Sequence, residues 1–190
     1  ICIGDFASIE EEMENGIPIK IYAMKGQENN FYDIIKVSNY AIDWIESNLK
    51  VKYELPHLQI LFHSAFKKEM GNYGLITCSD KHDLQSCSFL MTVIREIIHQ
   101  WFGGSVSVKW WNSIWLNVGF SSFLQYMIYQ DYDTEINVWN IFVEKKAVKS
   151  FKYFGNGLIC PPKDEVNLKN RLLVDEKGGF VIKMFHDIVG

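Results

Sequence analysis

Residues 88–104 read Ser-Phe-Leu-Met-Thr-Val-Ile-Arg-Glu-Ile-Ile-His-Gln-Trp-Phe-Gly-Gly, and this stretch decides the fold of the region around it. Its apolar residues recur at helical spacing, which predicts an amphipathic helix from Ser88 to Phe102. These apolar residues are Phe89, Leu90, Val93, Ile94, Ile97, Ile98 and Trp101. The pair Gly103-Gly104 is typical of a helix end. Arg95 and His99 would then share one face of this helix.

Three ionisable side chains lie within the apolar pattern: Arg95, Glu96 and His99. A histidine can coordinate a metal ion, but arginine has five N–H donors and no acceptor, so Arg95 cannot. Considered alone, the three residues are ordinary polar positions of an amphipathic helix, and that interpretation is favoured until other parts of the sequence are added.

The composition limits the classes of partner. With 48% hydrophobic and 15% aromatic residues, the 190-residue chain can bury a substantial core. A net charge of −4 and a pI near 5.7 argue against a nucleic-acid partner. No apolar stretch is long enough to span a bilayer. The chain does not start with Met, which suggests a fragment, so a membrane anchor elsewhere stays open.

The four cysteines, Cys2, Cys78, Cys87 and Cys160, fit no metal-binding spacing. A disulfide between Cys78 and Cys87 and a set of unpaired thiols both remain open, and so does the compartment.

The pattern before the helix predicts mostly β-structure. Asn15-Gly16 predicts a hairpin over Ile1–Lys25, with Ile17, Ile19, Ile21 and Ala23 alternating behind the turn. A helix is expected over Phe31–Leu49 and a strand over His57–Ser64. A loop or bulge between Lys67 and Asp80 leads into an expected edge strand at Leu75-Ile76-Thr77, and an edge strand can bind an extended peptide.

The pattern after the helix predicts mostly α-structure. A short strand is expected over Ser105–Lys109, followed by a helix that begins after Trp110-Trp111-Asn112 and runs to about Tyr129. Two more helices are expected near Val138–Phe151 and Glu176–Val189, and they flank a loop that contains Cys160-Pro161-Pro162.

Two blocks of the sequence, residues 95–103 and 109–120, resemble the HExxHxWFG and KWWNxxWLNEGF motifs of the alanyl aminopeptidase (gluzincin) family of zinc metallopeptidases. The resemblance implies an α+β, thermolysin-like domain with a mixed edge sheet and a helical bundle. Residues 30–190 would form an incomplete domain of this kind. Residues 1–29 would be the end of the family's N-terminal β-domain.

The resemblance also assigns roles to individual positions. The family's first zinc histidine falls on Arg95, its general base on Glu96 and its second histidine on His99. Its third ligand, a glutamate, falls on Val118. Valine has no lone pair, so His99 is the only ligand of the three that survives.

Two further motifs of the family align less completely. Its exopeptidase motif GAMEN falls on residues 68–72, and Gly71 replaces the glutamate that holds a substrate's free amine. The resemblance implies a degenerate substrate-binding segment that consists of Met70, Gly71, Asn72 and Gly74. The transition-state tyrosine falls on Asp175, ahead of Lys177-Gly178. An aspartate there would repel an oxyanion.

We therefore expect a non-catalytic homologue that binds a peptide or a protein, with no cofactor. A guanidinium about 4 Å from a divalent ion would oppose its binding by up to about 8 kcal/mol at an effective dielectric near 20. The alternative is an active zinc aminopeptidase that recruits His63 or Asp175 as a replacement ligand. Both membrane-anchored ectodomains and cytoplasmic proteins occur in the family, so the location stays open.

Overall fold

The computed structural model describes residues 3–26, 31–148 and 168–189. The chain forms two compact units, Ile1–Gly104 and Ser105–Gly190. The boundary expected after residue 29 is a different one and stays a prediction. Strands and helices occur together, which confirms the α+β class. The thermolysin-like arrangement also stays a prediction.

The first unit contains a mixed five-stranded sheet with the strand order β1-β2-β3-β5-β4. Its strands are β1 (Phe6–Glu12), β2 (Pro18–Met24), β3 (Leu58–Phe62), β4 (Met70–Asn72) and β5 (Leu75–Cys78). The pairs β1–β2 and β4–β5 are antiparallel. The pairs β2–β3 and β3–β5 are parallel.

The hairpin β1–β2 forms around the turn that its sequence predicts. The Asn15 side-chain oxygen accepts a hydrogen bond from the Ile17 N–H at 3.1 Å, and Gly16 takes a φ of 81° in the left-handed region. The buried residues of β2 alternate as expected: Ile19, Ile21 and Ala23.

Two helices, α1 (Tyr32–Leu49) and α2 (Cys87–Ile98), complete the first unit and pack against each other. The predicted helix and the predicted strand that follows it are therefore confirmed by α1 and β3. The buried face of α1 is almost entirely apolar: Ile34, Ile35, Val37, Ala41, Ile42 and Ile45.

A buried carboxylate joins the hairpin to the end of α1. Glu46 accepts hydrogen bonds from the Tyr53 N–H at 2.8 Å and the Asn15 amide at 3.3 Å, and it pairs with Lys52 at 2.6 Å. Burial raises the pKa of Glu46, but these donors outweigh burial and the pKa lies below its ordinary value.

The expected edge strand is wrong in one respect. Leu75-Ile76-Thr77 belongs to β5, which is flanked by β3 and β4, and the strand at this edge of the sheet is β4. Gly74 has a φ of 79°, which lets the chain reverse within the two residues between Asn72 and Leu75. The Met-Gly-Asn sequence of β4 has low β-propensity, so the sequence pattern missed this strand.

The second unit is helical. It contains a 3₁₀ turn (Trp111–Ser113), α3 (Ile114–Tyr132), α4 (Val138–Ile141), a π-helical segment (Phe142–Ala147) and α5 (Leu168–Val189). Among the described residues, no helix combines the length and the apolar character needed to cross a membrane.

Three expectations for the second unit need correction. Residues 105–109 form no strand, because only Val106 makes an isolated bridge. The helix expected near Val138–Phe151 changes to π-geometry at Phe142, and its last residues, 149–151, lie outside the described residues. Helix α5 begins at Leu168, whereas the sequence pattern predicted a start near Glu176. The prediction failed because Gly178-Gly179 within the helix obscures the helical pattern. The expected loop at residues 160–162 lies outside the described part of the chain.

Candidate functional site

Helix α2 carries three candidate residues, and its first turn fixes where it begins. The Ser86 hydroxyl accepts a hydrogen bond from the Phe89 N–H at 3.3 Å and donates one to the Asp83 carbonyl at 2.7 Å. Arg95 lies in the last turn, where a cation interacts favourably with the helix dipole.

The three polar residues of α2 differ in exposure. Glu96 is buried, with 8% of its surface exposed, whereas Arg95 and His99 are half-buried. Neighbouring residues of a helix do not face each other, so the Arg95 and Glu96 side chains leave the helix in different directions.

The α-helical part of α2 ends at Ile98, four residues earlier than predicted. The N–H groups of Gln100 and Trp101 bond to carbonyls three residues back at 2.9 and 3.0 Å, which tightens the final turn. His99 caps the helix, and its Nδ1 lies 3.1 Å from the Phe102 carbonyl oxygen. Because a carbonyl only accepts, Nδ1 carries the hydrogen, and Nε2 is the acceptor of the neutral ring.

Strand β4 packs directly on this end of α2 through Gly71. A Cβ at Gly71 would lie 2.8 Å from Glu96 Oε2, 2.9 Å from the Glu96 carbonyl oxygen and 3.0 Å from His99 Cβ. The Glu96 carboxylate therefore occupies the space that a side chain at residue 71 would need.

The other substrate-binding candidates lie on the same hairpin, β4–β5. Met70 and Asn72 are exposed on β4, and Gly74 forms the turn. Glu69 precedes β4, and its carboxylate lies 2.7 Å from His82 Nε2.

Cys78 is a buried thiol near two carboxylates of this region. Burial raises the pKa of its thiol well above the ordinary range, and the nearby carboxylates of Glu69 and Glu96 raise it further. Cys78 and Cys87 are free thiols in this structure. Cys2 and Cys160 lie outside the described residues.

Sequence reasoning missed Gln100, which joins α2 to the β4–β5 hairpin. Its side-chain oxygen accepts from the Gly74 N–H at 2.7 Å, and its amide nitrogen donates to the Asn72 carbonyl at 3.1 Å. Gln100 is 1% exposed. Its position next to His99, between apolar neighbours, was the available signal, because a buried polar residue needs partners.

Val118 and Asp175 lie in the second unit, on α3 and α5. Val118 is 8% exposed and Asp175 is 5% exposed. The two helices cross closely near these residues, since a Cβ at Gly119 would lie 2.9 Å from the Gly178 carbonyl carbon. The structure therefore brings the WLNxGF and KG segments together at one glycine crossing.

The alternative ligand His63 already has contacts at the end of β3. Its Nδ1 accepts a hydrogen bond from the Ala65 N–H at 3.0 Å. Its ring lies edge-on to Phe6 and Phe66, with centroid distances of 6.2 and 6.0 Å.

The residues at the three positions that the family resemblance assigns to zinc ligands do not fit a zinc ion. Zinc needs lone pairs from thiolate, imidazole or carboxylate groups. The Arg95 guanidinium has none, and the buried Val118 side chain is a hydrocarbon, so one imidazole remains. In the portion of the chain that the structure describes, no three His, Cys, Asp or Glu side chains are grouped so that they could hold a metal ion.

Comparison with known proteins identifies the family. The model of the peptidase family M1 domain matches residues 34–190. The chain is 26% identical to aminopeptidase N of Lactobacillus helveticus over 98% of its own length and 24% of that protein's. It is 26% identical to aminopeptidase M1 of Arabidopsis thaliana, over 100% of this chain and 23% of that protein.

A mammalian relative gives the same result. The chain is 29% identical to endoplasmic reticulum aminopeptidase 1 of Rattus norvegicus, over 75% of this chain and 16% of that protein. The chain thus spans about a quarter of the length of aminopeptidase N and less of the other two. Because the family model covers most of its residues, this chain belongs to peptidase family M1.

Proposed function

We propose that this chain is a non-catalytic member of family M1 that binds a peptide or a protein. The observation that carries the proposal is the set of side chains at the three zinc positions: Arg95, His99 and Val118. A single imidazole beside a guanidinium is a poor zinc site, so we infer that the metal chemistry of the family has been lost.

The remaining acid does not replace that chemistry. Attack on a peptide bond needs an activated water, and the pKa of free water is about 15.7 compared with about 7 for zinc-bound water. Glu96 keeps the position of the general base, but a carboxylate is too weak a base to deprotonate bulk water efficiently. Peptide hydrolysis by the family mechanism is therefore not expected.

A binding surface remains at the edge of the sheet. One side of β4 pairs with β5, and β4 is the last strand in the order of the described sheet. Met70 on this strand is 57% exposed, and Gln100 holds the hairpin against α2. An extended peptide can add to such an edge through main-chain hydrogen bonds.

Arg95 supplies the charge that would select the ligand. Its guanidinium can bind a carboxylate with two parallel hydrogen bonds, which a peptide's C-terminus or an acidic side chain can provide. We therefore infer a ligand with a carboxylate, bound by Arg95 in the place where the relatives bind metal.

The test uses two acetylated hexapeptides of alternating valine and threonine, one with a free C-terminal carboxylate and one amidated. Isothermal titration against the purified protein should give at least tenfold tighter binding of the free acid, about 1.4 kcal/mol. Arg95→Ala should abolish that preference, whereas Lys81→Ala, which removes an exposed cation of the same unit, should not. The role of Arg95 would be overturned if the unmodified protein bound both peptides equally. It would also be overturned if the Arg95→Ala variant kept the preference for the free acid.

A further inference from the structure

A cavity of about 280 Å³ lies in the first unit, between the start of α1 and the segment that leads into α2. It is lined by two aromatic residues and by a run of mostly polar residues: Phe31, Phe62, Asp80, His82, Asp83, Leu84 and Gln85. The two phenylalanine rings are buried, and their centroids are 4.9 Å apart. The cavity therefore joins an apolar surface to a polar one.

The polar wall of the cavity is held in place by contacts on several sides. The His82 ring stacks on Phe89 at a centroid distance of 5.2 Å, and its Nε2 lies 2.7 Å from Glu69. The Gln85 amide donates to Asp33 on α1 at 3.0 Å. A wall that is fixed before binding reduces the entropy that a ligand must overcome.

The side chains of this wall offer acceptors. The Gln85 amide nitrogen is engaged with Asp33, so its side-chain oxygen is the atom that is left for a ligand. The His82 Nε2 is engaged with the Glu69 carboxylate, so Nδ1 is the ring nitrogen outside that contact. Asp80 and Asp83 add two carboxylates. A ligand that matches this wall carries N–H donors and positive charge.

The dipoles of α1 and α2 do not account for all the carboxylates near the cavity. Asp33 lies in the first turn of α1, where it compensates the dipole of that helix. Asp83 accepts from the Gln85 N–H at 3.2 Å in the turn before α2. Asp80 precedes that turn and lies in neither helix terminus, so neither helix dipole accounts for its place in the cavity wall.

We propose that this cavity binds an organic cation, an ammonium or guanidinium group attached to a small apolar body. The carboxylates would receive the N–H groups, and the body would pack against Leu84 on the apolar side of the cavity, which the buried Phe31 and Phe62 close from behind. The volume is slightly below the usual range for ligand pockets, about 300 to 1,000 Å³, which limits the body to about one ring. This inference does not depend on the proposed peptide-binding function.

The experiment is a calorimetric titration of the purified protein with three probes. Benzylamine carries an ammonium group attached to one ring, and benzyl alcohol is its neutral counterpart. Nα-acetyl-lysine amide carries the ammonium group on a peptide side chain. We expect benzylamine to bind at least tenfold tighter than benzyl alcohol and to weaken as salt increases. Binding of acetyl-lysine amide as well would identify a basic peptide side chain as a source of the cation, and its failure to bind would identify a free amine.

Two isosteric variants locate the site. Asp80→Asn should weaken benzylamine binding at least fivefold, whereas Asp5→Asn, which removes an exposed carboxylate of the same unit outside the cavity, should change it less than twofold. Equal binding of benzylamine and benzyl alcohol by the unmodified protein, or no binding of either cation at millimolar concentration, would overturn the proposal without any variant. Equal losses in the two folded variants would also overturn it.

Discussion

Two glycine contacts, one in each unit, bring neighbouring elements unusually close, and they differ in what each glycine lies against. At the crossing of α3 and α5, Gly119 faces Gly178, and a Cβ there would lie 2.9 Å from backbone. At the contact of β4 and α2, Gly71 faces Glu96, and a Cβ would lie 2.8 Å from its carboxylate. The first contact is backbone against backbone, and the second adds a charged side chain to a backbone contact, since the Glu96 carbonyl oxygen would lie 2.9 Å from the same Cβ.

By the family resemblance, Gly119 and Gly178 stand where relatives also have glycine, whereas Gly71 stands where relatives have a glutamate. Under that resemblance, the glycines at the helix crossing match the family motifs, whereas Gly71 differs at a position that contacts substrate in the family. Arg95 and Val118 fit the same division, because both lie within otherwise matching motifs.

The largest expected effect is at the helix crossing. Gly119→Ala places a methyl group 2.9 Å from the Gly178 carbonyl carbon and 3.1 Å from its Cα, so the two backbones must separate. We expect a loss of about 2 to 3 kcal/mol in the free energy of unfolding, measured by urea denaturation. Gly26→Ala, at an open position with a φ of 92°, serves as a control for backbone strain alone. A Gly119→Ala loss no larger than that of the control would contradict the close crossing.

The next effect concerns the hydrogen bonds that fix β4 against α2. Gln100→Leu removes the acceptor of the Gly74 N–H and the donor to the Asn72 carbonyl, and leaves both backbone groups without that partner. We expect a loss of about 2 kcal/mol in the free energy of unfolding. Gln125→Leu, a half-buried glutamine on α3, should change it by less than about 0.5 kcal/mol. Similar losses in both variants would show that Gln100 does not hold the hairpin.

A smaller effect is expected at Gly71 itself. Gly71→Ala meets Glu96 Oε2 at 2.8 Å and the Glu96 carbonyl oxygen at 2.9 Å. The carboxylate can rotate away, and β4, a three-residue edge strand, can shift more easily than two packed helices. We expect a loss of about 1 kcal/mol. Combining Gly71→Ala with Glu96→Ala should recover part of that loss, since only the Glu96 carbonyl and His99 Cβ remain in the way. Strict additivity of the two changes would mean that the carboxylate does not occupy this space.

The smallest effect tests the surroundings of Cys78. Its folded-state pKa lies above the ordinary value of 9.0 that the unfolded chain retains. The unfolded state therefore ionises first, and the stability that the neutral thiol contributes is fully present below pH 9 and declines as the pH rises further. Urea denaturation between pH 7 and 10 should show a steeper decline for the unmodified protein than for Cys78→Ala. Parallel curves would contradict the burial of this thiol.

Helical periodicity was sufficient to predict α1 and α2, whose buried faces are mostly apolar. The Asn15-Gly16 turn was sufficient for the hairpin, and apolar runs without a single apolar face were sufficient for β3 and α3. Sequence patterns failed at β4, whose three residues carry no such pattern and are held by pairing with β5 and by Gln100. They also failed at the start of α5, where adjacent glycines serve a helix crossing and do not end the helix.

For the candidate site, the sequence predicted which residues differ from the family but not what they contact. The fit of Glu96 against Gly71 depends on the register of β4 and on where α2 ends, and both are set by tertiary contacts. The Nδ1 contact of His99 depends on the tightened turn after Ile98, which the helical pattern alone placed four residues too late.

The central claim, that the zinc site has been lost, is tested most directly by the zinc content of the purified protein. Elemental analysis after dialysis against excess zinc and then against metal-free buffer should give a zinc content close to zero. About one zinc per chain that disappears in a His99→Ala variant would contradict the account and would make aminopeptidase activity the next property to assay.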